Sequence, residues 1–176
     1  CVTSSTWTPE AVVTVREFAE RDWPGVWKIM EPNIREGETY PYARDMTEDG
    51  ARHMWLELTD KVYVAEDESG EILGTYYLKP NQPTLGAHVA NAGYLVSANA
   101  RGKGVGTLMG ENSQVEARRL GYRAMQFNLV VSTNVPSVRL WQKLGFEITG
   151  TLRGAFLHAT EGYVDAHIMY KVLADR

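Results

Sequence analysis

Tyr94-Leu95-Val96-Ser97-Ala98-Asn99-Ala100-Arg101-Gly102-Lys103-Gly104-Val105-Gly106-Thr107 reads as an apolar strand that passes through a glycine-dense turn directly into a helix. Gly102, Gly104 and Gly106 permit backbone angles and close approaches that a Cβ would forbid, so successive N–H groups can face one concave space. A helix opening at about Val105 aims its unpaired amides and the positive end of its dipole at that space. Arg101 and Lys103 add full charges beside it. The stretch therefore reads as a site for a phosphate-bearing ligand. The competing reading is that the glycines serve only tight strand-to-helix packing and the two cations are solvated surface charges.

Outward from this turn, the chain alternates strand and helix signals. Downstream, Val105, Leu108, Met109, Val115 and Leu120 share one helical face until Gly121. A strand over Arg123 to Val131 follows, then a short helix from about Val135 to Leu144 stopped by Gly145, and two strands around Phe146 to Leu152 and Val164 to Val172. Upstream, Val12 to Phe18 alternates as a strand does. Asp22 is placed to cap a helix with Pro24 in its first turn and Val26, Trp27, Met30 and Ile34 as its stripe, ending at Gly37. Met46 to Asp49 opens a second helix that buries Met54, Trp55 and Leu58. Strands Lys61 to Glu66 and Glu71 to Lys79 are joined by the turn Glu68-Ser69-Gly70, and a further strand runs from Ala90 to Ser97. This order predicts an α/β (α+β) fold: a mixed, mostly antiparallel central sheet flanked by helices, with one βαβ crossover. Residues 1–11, polar and rich in Ser and Thr, are expected to form a flexible leader, and residues 12–176 a single domain.

Composition narrows the function classes. At 176 residues one domain can bury about 70% of its unfolded surface. A net charge of −4, with both signs interspersed, argues against a nucleic-acid surface, which needs a basic face. No apolar run approaches the ~20 residues of a membrane span. The lone cysteine, Cys1, allows neither a disulfide framework nor a Cys-based metal cluster, so a reducing, cytoplasmic setting is the default expectation. Cys1 reads as a processing remnant rather than a lipid anchor, and no signal peptide is recognised before the domain. His53, His88, His158 and His167 show no metal-ligand spacing, so no metal is expected. No Ser-His-Asp order forms a triad.

The spacing of the glycines selects among phosphate turns. A Walker A loop requires Ser or Thr after its lysine, but Lys103 is followed by Gly104. A dinucleotide turn requires a later third glycine and an acidic residue about 20 positions on, where this chain has Leu120, Gly121, Tyr122 and Arg123. By contrast, Arg101-x-x-Gly104-x-Gly106, five residues after Val96, resembles the acetyl-CoA signature of the GNAT family of N-acetyltransferases. Asn134-x-x-Ser137-x-x-Leu140-Trp141-x-Lys143-Leu144-Gly145-Phe146 is similar to the second half of that family's core. The resemblance spans roughly residues 12–173. It implies an acetyl-CoA site formed by Tyr94, Val96, Arg101, Gly102, Lys103, Gly104, Val105, Gly106, Thr107, Asn134, Ser137, Trp141 and Lys143. It also implies that the strands of Val96 and Val131 splay apart to admit pantetheine, that the first helix pair borders the acceptor, and that backbone amides near Val96 meet the thioester oxygen. Homodimers are frequent in the family and are expected here.

Further segments resemble the fungal acetyltransferases acting on L-azetidine-2-carboxylate and other proline analogues: Gly37-Glu38-Thr39-Tyr40-Pro41, Leu73 to Asn81, Asn91 to Val96, Phe127 to Val130 and Thr133-Asn134. That resemblance implies substrate recognition by Asn91 and Asn128, with Asn134 nearest the chemistry; Glu36 and Tyr40 are added as candidate acceptor-pocket residues. Each asparagine also has a structural reading, as a cap or a loop end. Trp141 stands where many family members carry a tyrosine that protonates coenzyme A. Indole has no accessible proton-transfer pKa, so Tyr163 or Tyr94 would have to substitute, and Trp141 equally fits a core position. The expected activity is direct acetyl transfer to the amine of a small amino acid. The alternatives are acetylation of protein N-termini or lysines, and a non-catalytic acyl-CoA-binding module.

Overall fold

The computed structural model describes residues 12–175, so the expected leader and Cys1 lie outside the described residues. Seven strands form one sheet: β1 Thr14–Glu17, β2 Lys61–Glu66, β3 Ile72–Pro80, β4 Val89–Val96, β5 Ala124–Val131, β6 Glu147–His158 and β7 Gly162–Val172. Their order is β1-β2-β3-β4-β5-β7-β6. Every neighbouring pair is antiparallel except β4 and β5. Helices α1 Trp23–Glu36 and α2 Glu48–Arg52 cover one face; α3 Val105–Arg119 and α4 Val135–Lys143 cover the other. The expected mixed, mostly antiparallel architecture is the observed one.

Local chemistry explains the element ends. Pro24 occupies the first turn of α1, where its missing N–H costs nothing, and Gly37 ends the helix at φ 66°. Asp22, expected to cap α1, does not. Its carboxylate accepts Nη1 and Nη2 of Arg16, both at 2.8 Å, and the Ala19 N–H at 2.8 Å, closing the turn before the helix. Thr47 caps α2 by accepting from the Gly50 N–H at 3.1 Å. A π-helical turn over His53–Glu57 continues α2. The wide turn advances the register, so Trp55 is sealed while Leu58, expected inside, is half exposed. In α3 the buried row is Val105, Met109, Ser113 and Ala117, flanked by Gly110 and Gln114. Val115 and Leu120 fall off that row and are exposed, contrary to expectation.

The feature that positions a site is the parting of β4 from β5. Their parallel ladder has two registered pairs, Val89↔Ala124 and Ala90↔Met125, and then ends. Odd-numbered residues of β4 turn their polar groups toward β3: the Ser97 N–H donates to Leu73 O, and Val89 O accepts from the Asn81 N–H, both at 2.8 Å. Ala92, Tyr94 and Val96 therefore present N–H and C=O groups to the widening gap. On the α3/α4 side the gap is underlain by packed rings: Trp141 lies 4.5 Å from Tyr94 and 4.7 Å from Phe127, centroid to centroid.

Candidate active site

At the C-terminal end of β4 the chain makes a 3-10 turn at Ala98–Ala100 and enters the glycine segment. Gly102 and Gly104 adopt φ 76° and 81°, left-handed values that an L side chain resists. Gly106 serves a different purpose: a Cβ there would come within 3.3 Å of Leu140 Cδ2, so its lack of a side chain lets α3 approach α4. The first backbone bond into the helix is Leu108 N–H to Gly104 O at 3.0 Å, and Lys103 N–H turns back to Ala100 O at 3.2 Å. The amides of Gly102, Gly104, Val105, Gly106 and Thr107 have no partner among the described residues, and no side chain caps the helix. This run of free donors at a helix N-terminus, with exposed Arg101 and Lys103 alongside, is an anion-binding nest.

Glu36 lies with this loop rather than with the acceptor residues. Its Oε2 is 4.0 Å from Arg101 Nη2. Both line a cavity of about 530 Å³ between α1, the β2–β3 turn and Ser97 to Arg101. That cavity is flanked by α1 and does not lie between β4 and β5.

Tyr40 is brought into the gap. Its hydroxyl accepts from the Tyr94 N–H at 2.7 Å and donates to the Tyr94 carbonyl at 2.9 Å, so one side chain satisfies both polar groups of a residue on the open edge. Burial pushes its pKa well above the ordinary tyrosine value, which keeps the group a neutral donor. Around it stand Tyr42, Trp55 and Tyr77, with ring centroids 5.4 Å (Tyr40–Tyr42), 6.1 Å (Tyr40–Trp55) and 4.8 Å (Trp55–Tyr77) apart. Burial raises the Tyr77 hydroxyl to about 12.

Asn91 bridges β4 to β5 near the point where they part, and Asn128 ties β5 to the loop after β3. Asn91 Nδ2 donates to Gln126 O at 3.1 Å, and its Oδ1 accepts from Tyr77 Oη at 3.4 Å. Asn128 lies at a register irregularity of β5 between Phe127 and Val130; it donates to Asn81 Oδ1 at 2.7 Å and accepts from Gln126 Nε2 at 3.0 Å. Asn134 precedes α4, but its side chain makes no capping bond, which leaves its carboxamide without a partner among the described residues.

Trp141 is 7% exposed, stacked in the ring cluster as a core residue. Tyr94 does not aim its hydroxyl into the gap: it shares a 2.6 Å hydrogen bond with Ser113 on α3. Tyr163 is 77% exposed on β7. Ser137 lies in the first turn of α4, whereas Lys143 is exposed at the opposite end of that helix from Asn134.

The strands expected around Phe146 to Leu152 and Val164 to Val172 are present as β6 and β7, but the hairpin runs further than expected, to His158 and Gly162, so that the Ala159 N–H reaches Gly37 O at 3.1 Å. Phe156 and His158 on this hairpin are buried, and alternation of small and apolar residues in β6 is the only sequence signal for its length. Among the described residues no helix is long and apolar enough to cross a membrane, and no cluster of His, Cys, Asp and Glu could hold a metal.

The profile of the Acetyltransferase (GNAT) family matches residues 14–146. N-acetyltransferase aca1 of Schizosaccharomyces pombe is 35% identical over 151 residues, 77% of this chain and 72% of that protein. The L-amino acid N-acetyltransferase AaaT of Escherichia coli is 30% identical over 167 residues, 91% of this chain and 98% of that protein. A GCN5-related N-acetyltransferase from Kribbella flavida superposes with a TM-score of 0.88 at 42% identity, covering 94% of this chain and all of that one (100%).

Proposed function

This chain belongs to the acetyltransferase (GNAT) family, and from that premise we propose that it transfers the acetyl group of acetyl-CoA directly to the amine of a small amino acid, with cyclic imino acids such as L-azetidine-2-carboxylate foremost. The observation that carries the reading is the continuity of two features: free amides from Gly102 to Thr107 suited to a diphosphate, and an open edge of β4 leading from them to Tyr40 and the asparagines. The name of the Escherichia coli relative, an L-amino acid N-acetyltransferase, supports an amino-acid acceptor.

In this reading Ala92 and Val96 offer the hydrogen bonds of a missing strand to the extended arm of the donor, the polar groups of Tyr94 between them being held by Tyr40, and the ring floor of Trp141 and Phe127 keeps that arm dry. The amine attacks the thioester carbonyl, whose oxygen gains negative charge and is met by preorganised amides of β4. When the C–S bond breaks, the carbonyl re-forms as an amide. The proton lost by nitrogen balances the one gained by sulfur to give free coenzyme A. Asn134, with both ends of its carboxamide open, holds the acceptor or the acyl oxygen. Trp141 cannot donate a proton and the Tyr94 hydroxyl is committed to Ser113, while Tyr40, bonded to both polar groups of Tyr94, holds the edge of β4 in place.

The test is release of free coenzyme A from acetyl-CoA with L-azetidine-2-carboxylate, L-proline, phosphinothricin, a polyamine and a peptide with a free N-terminus. Fastest turnover with an amino acid is expected. Turnover confined to the peptide would replace the acceptor assignment, and acetyl-CoA retained unchanged with every acceptor would identify a binding module.

A further inference from the structure

Resting on that reading, we propose that Lys79 is the anchor for the acceptor's carboxylate, which makes an acidic amine, and not an amine as such, the substrate class. Lys79 is opposite Asn91 in the β3–β4 register, so their side chains share the face covered by α1 and α2. Its ammonium lies 5.5 Å from the centre of the Tyr77 ring. No carboxylate comes within ion-pair distance of it among the described residues. The cation is thus held by a ring and left without a counter-ion at the place where a substrate would enter.

Its surroundings suit an amino acid. Tyr77 Oη meets Asn91 Oδ1 at 3.4 Å, and the Tyr77 ring packs on Gly93, where a Cβ would fall 2.6 Å from Tyr77 Cε1 and 3.0 Å from Tyr40 Oη. Tyr40 Oη in turn sits 2.7 Å from the Tyr94 nitrogen on the open edge of β4. The Tyr77 ring thus neighbours both the free cation and the Gly93 position beside the Tyr40 hydroxyl that holds the edge amide, and the amine and carboxylate of an α-amino acid share a single carbon. Asn128 and Asn81, joined at 2.7 Å, close the same face with further amide donors. A charged hydrogen bond in such a partly buried setting is among the stronger contacts a small substrate can make.

The experiment compares steady-state kinetics for L-azetidine-2-carboxylate and L-proline with those for their carboxamides, using wild type, Lys79→Gln and Lys79→Arg. Wild type is expected to show a KM for each acid at least about tenfold below that of its carboxamide. Lys79→Gln should raise the KM of the acids about tenfold or more while changing that of the carboxamides and of acetyl-CoA less than about twofold, and Lys79→Arg should retain most of the preference. Equal losses on acid and carboxamide, or no preference in wild type, would overturn the anchor while leaving the acetyltransferase reading intact. No turnover with any amino acid, alongside turnover of another amine, would overturn the anchor together with the amino-acid acceptor of the proposed function. Matching thermal midpoints of the three proteins distinguish a binding effect from misfolding.

Discussion

Replacing Gly104 with alanine separates the phosphate nest from mere packing. Gly104 sits at φ 81°, ψ 6° immediately before α3, and a Cβ there would meet nothing within 4 Å. The substitution therefore adds no clash and introduces only the left-handed strain of an L residue, about 1–2 kcal/mol. Because Gly102, Lys103 and Gly104 are exposed, the free loop can relieve that strain by swinging its amides aside, and ligand binding must then restore it. The cost should appear in the Kd for acetyl-CoA as a rise of roughly fivefold to thirtyfold. Gly121 provides the control: it has φ 90°, nothing within 4 Å of its Cβ position, and lies beyond the other end of α3. Gly121→Ala carries the same strain away from the nest, so it should lower the thermal midpoint by about 2–4 °C per kcal/mol and leave the Kd unchanged. Calorimetric titration and thermal melts of both variants measure the two effects. If Gly104→Ala binds as tightly as Gly121→Ala, the amides after the turn do not hold the diphosphate, and the reasoning fails.

Asn134→Ala removes a carboxamide that has no partner among the described residues, so the melting point should move by less than about 2 °C. Turnover should fall by about tenfold or more with acetyl-CoA affinity within about threefold, which rapid kinetics and titration check together. The Arg16 network predicts an acid limb of stability. Hydrogen bonds from Arg16 hold the carboxyls of both Asp22 and Glu66 below their ordinary values. A depressed folded-state pKa stabilises above the unfolded value of about 4 and loses that contribution as pH falls through the folded value. Melts from about pH 6 to pH 2 should show a midpoint falling most steeply below about pH 4, and Asp22→Asn should lower the midpoint near pH 7 and flatten the acid limb. An unchanged limb in the variant would remove this network as its cause.

Much of the fold was legible because its signals are local. Gly37 as a helix end, Pro24 in a first turn, and the glycine turn into α3 depend on backbone preferences of a few adjacent residues. Where periodicity and capping signals failed, a competing side chain or an irregular turn had intervened. Asp22 was drawn from capping α1 by Arg16, and Leu58 was turned out by a wide helical turn that no periodicity announces. The glycine turn into α3 was legible as a backbone feature, whereas the placement of the residues just after α1 was not. Glu36 and Tyr40 are four residues apart, yet one lies beside Arg101 and the other reaches the edge of β4.

From residues alone, the glycine spacing, the helical stripes and the order of strands determine that a mixed sheet carries a phosphate turn, because each rests on contacts within a few positions of the chain. Only the packed molecule decides that β4 and β5 part after two pairs, that Tyr40 spans the polar groups of Tyr94, that Asn91 ties one strand to the other, and that the Lys79 ammonium lies over the Tyr77 ring. These are relations between segments tens of residues apart. They are set by the register and burial of the whole sheet, which the global minimum selects and no short stretch encodes.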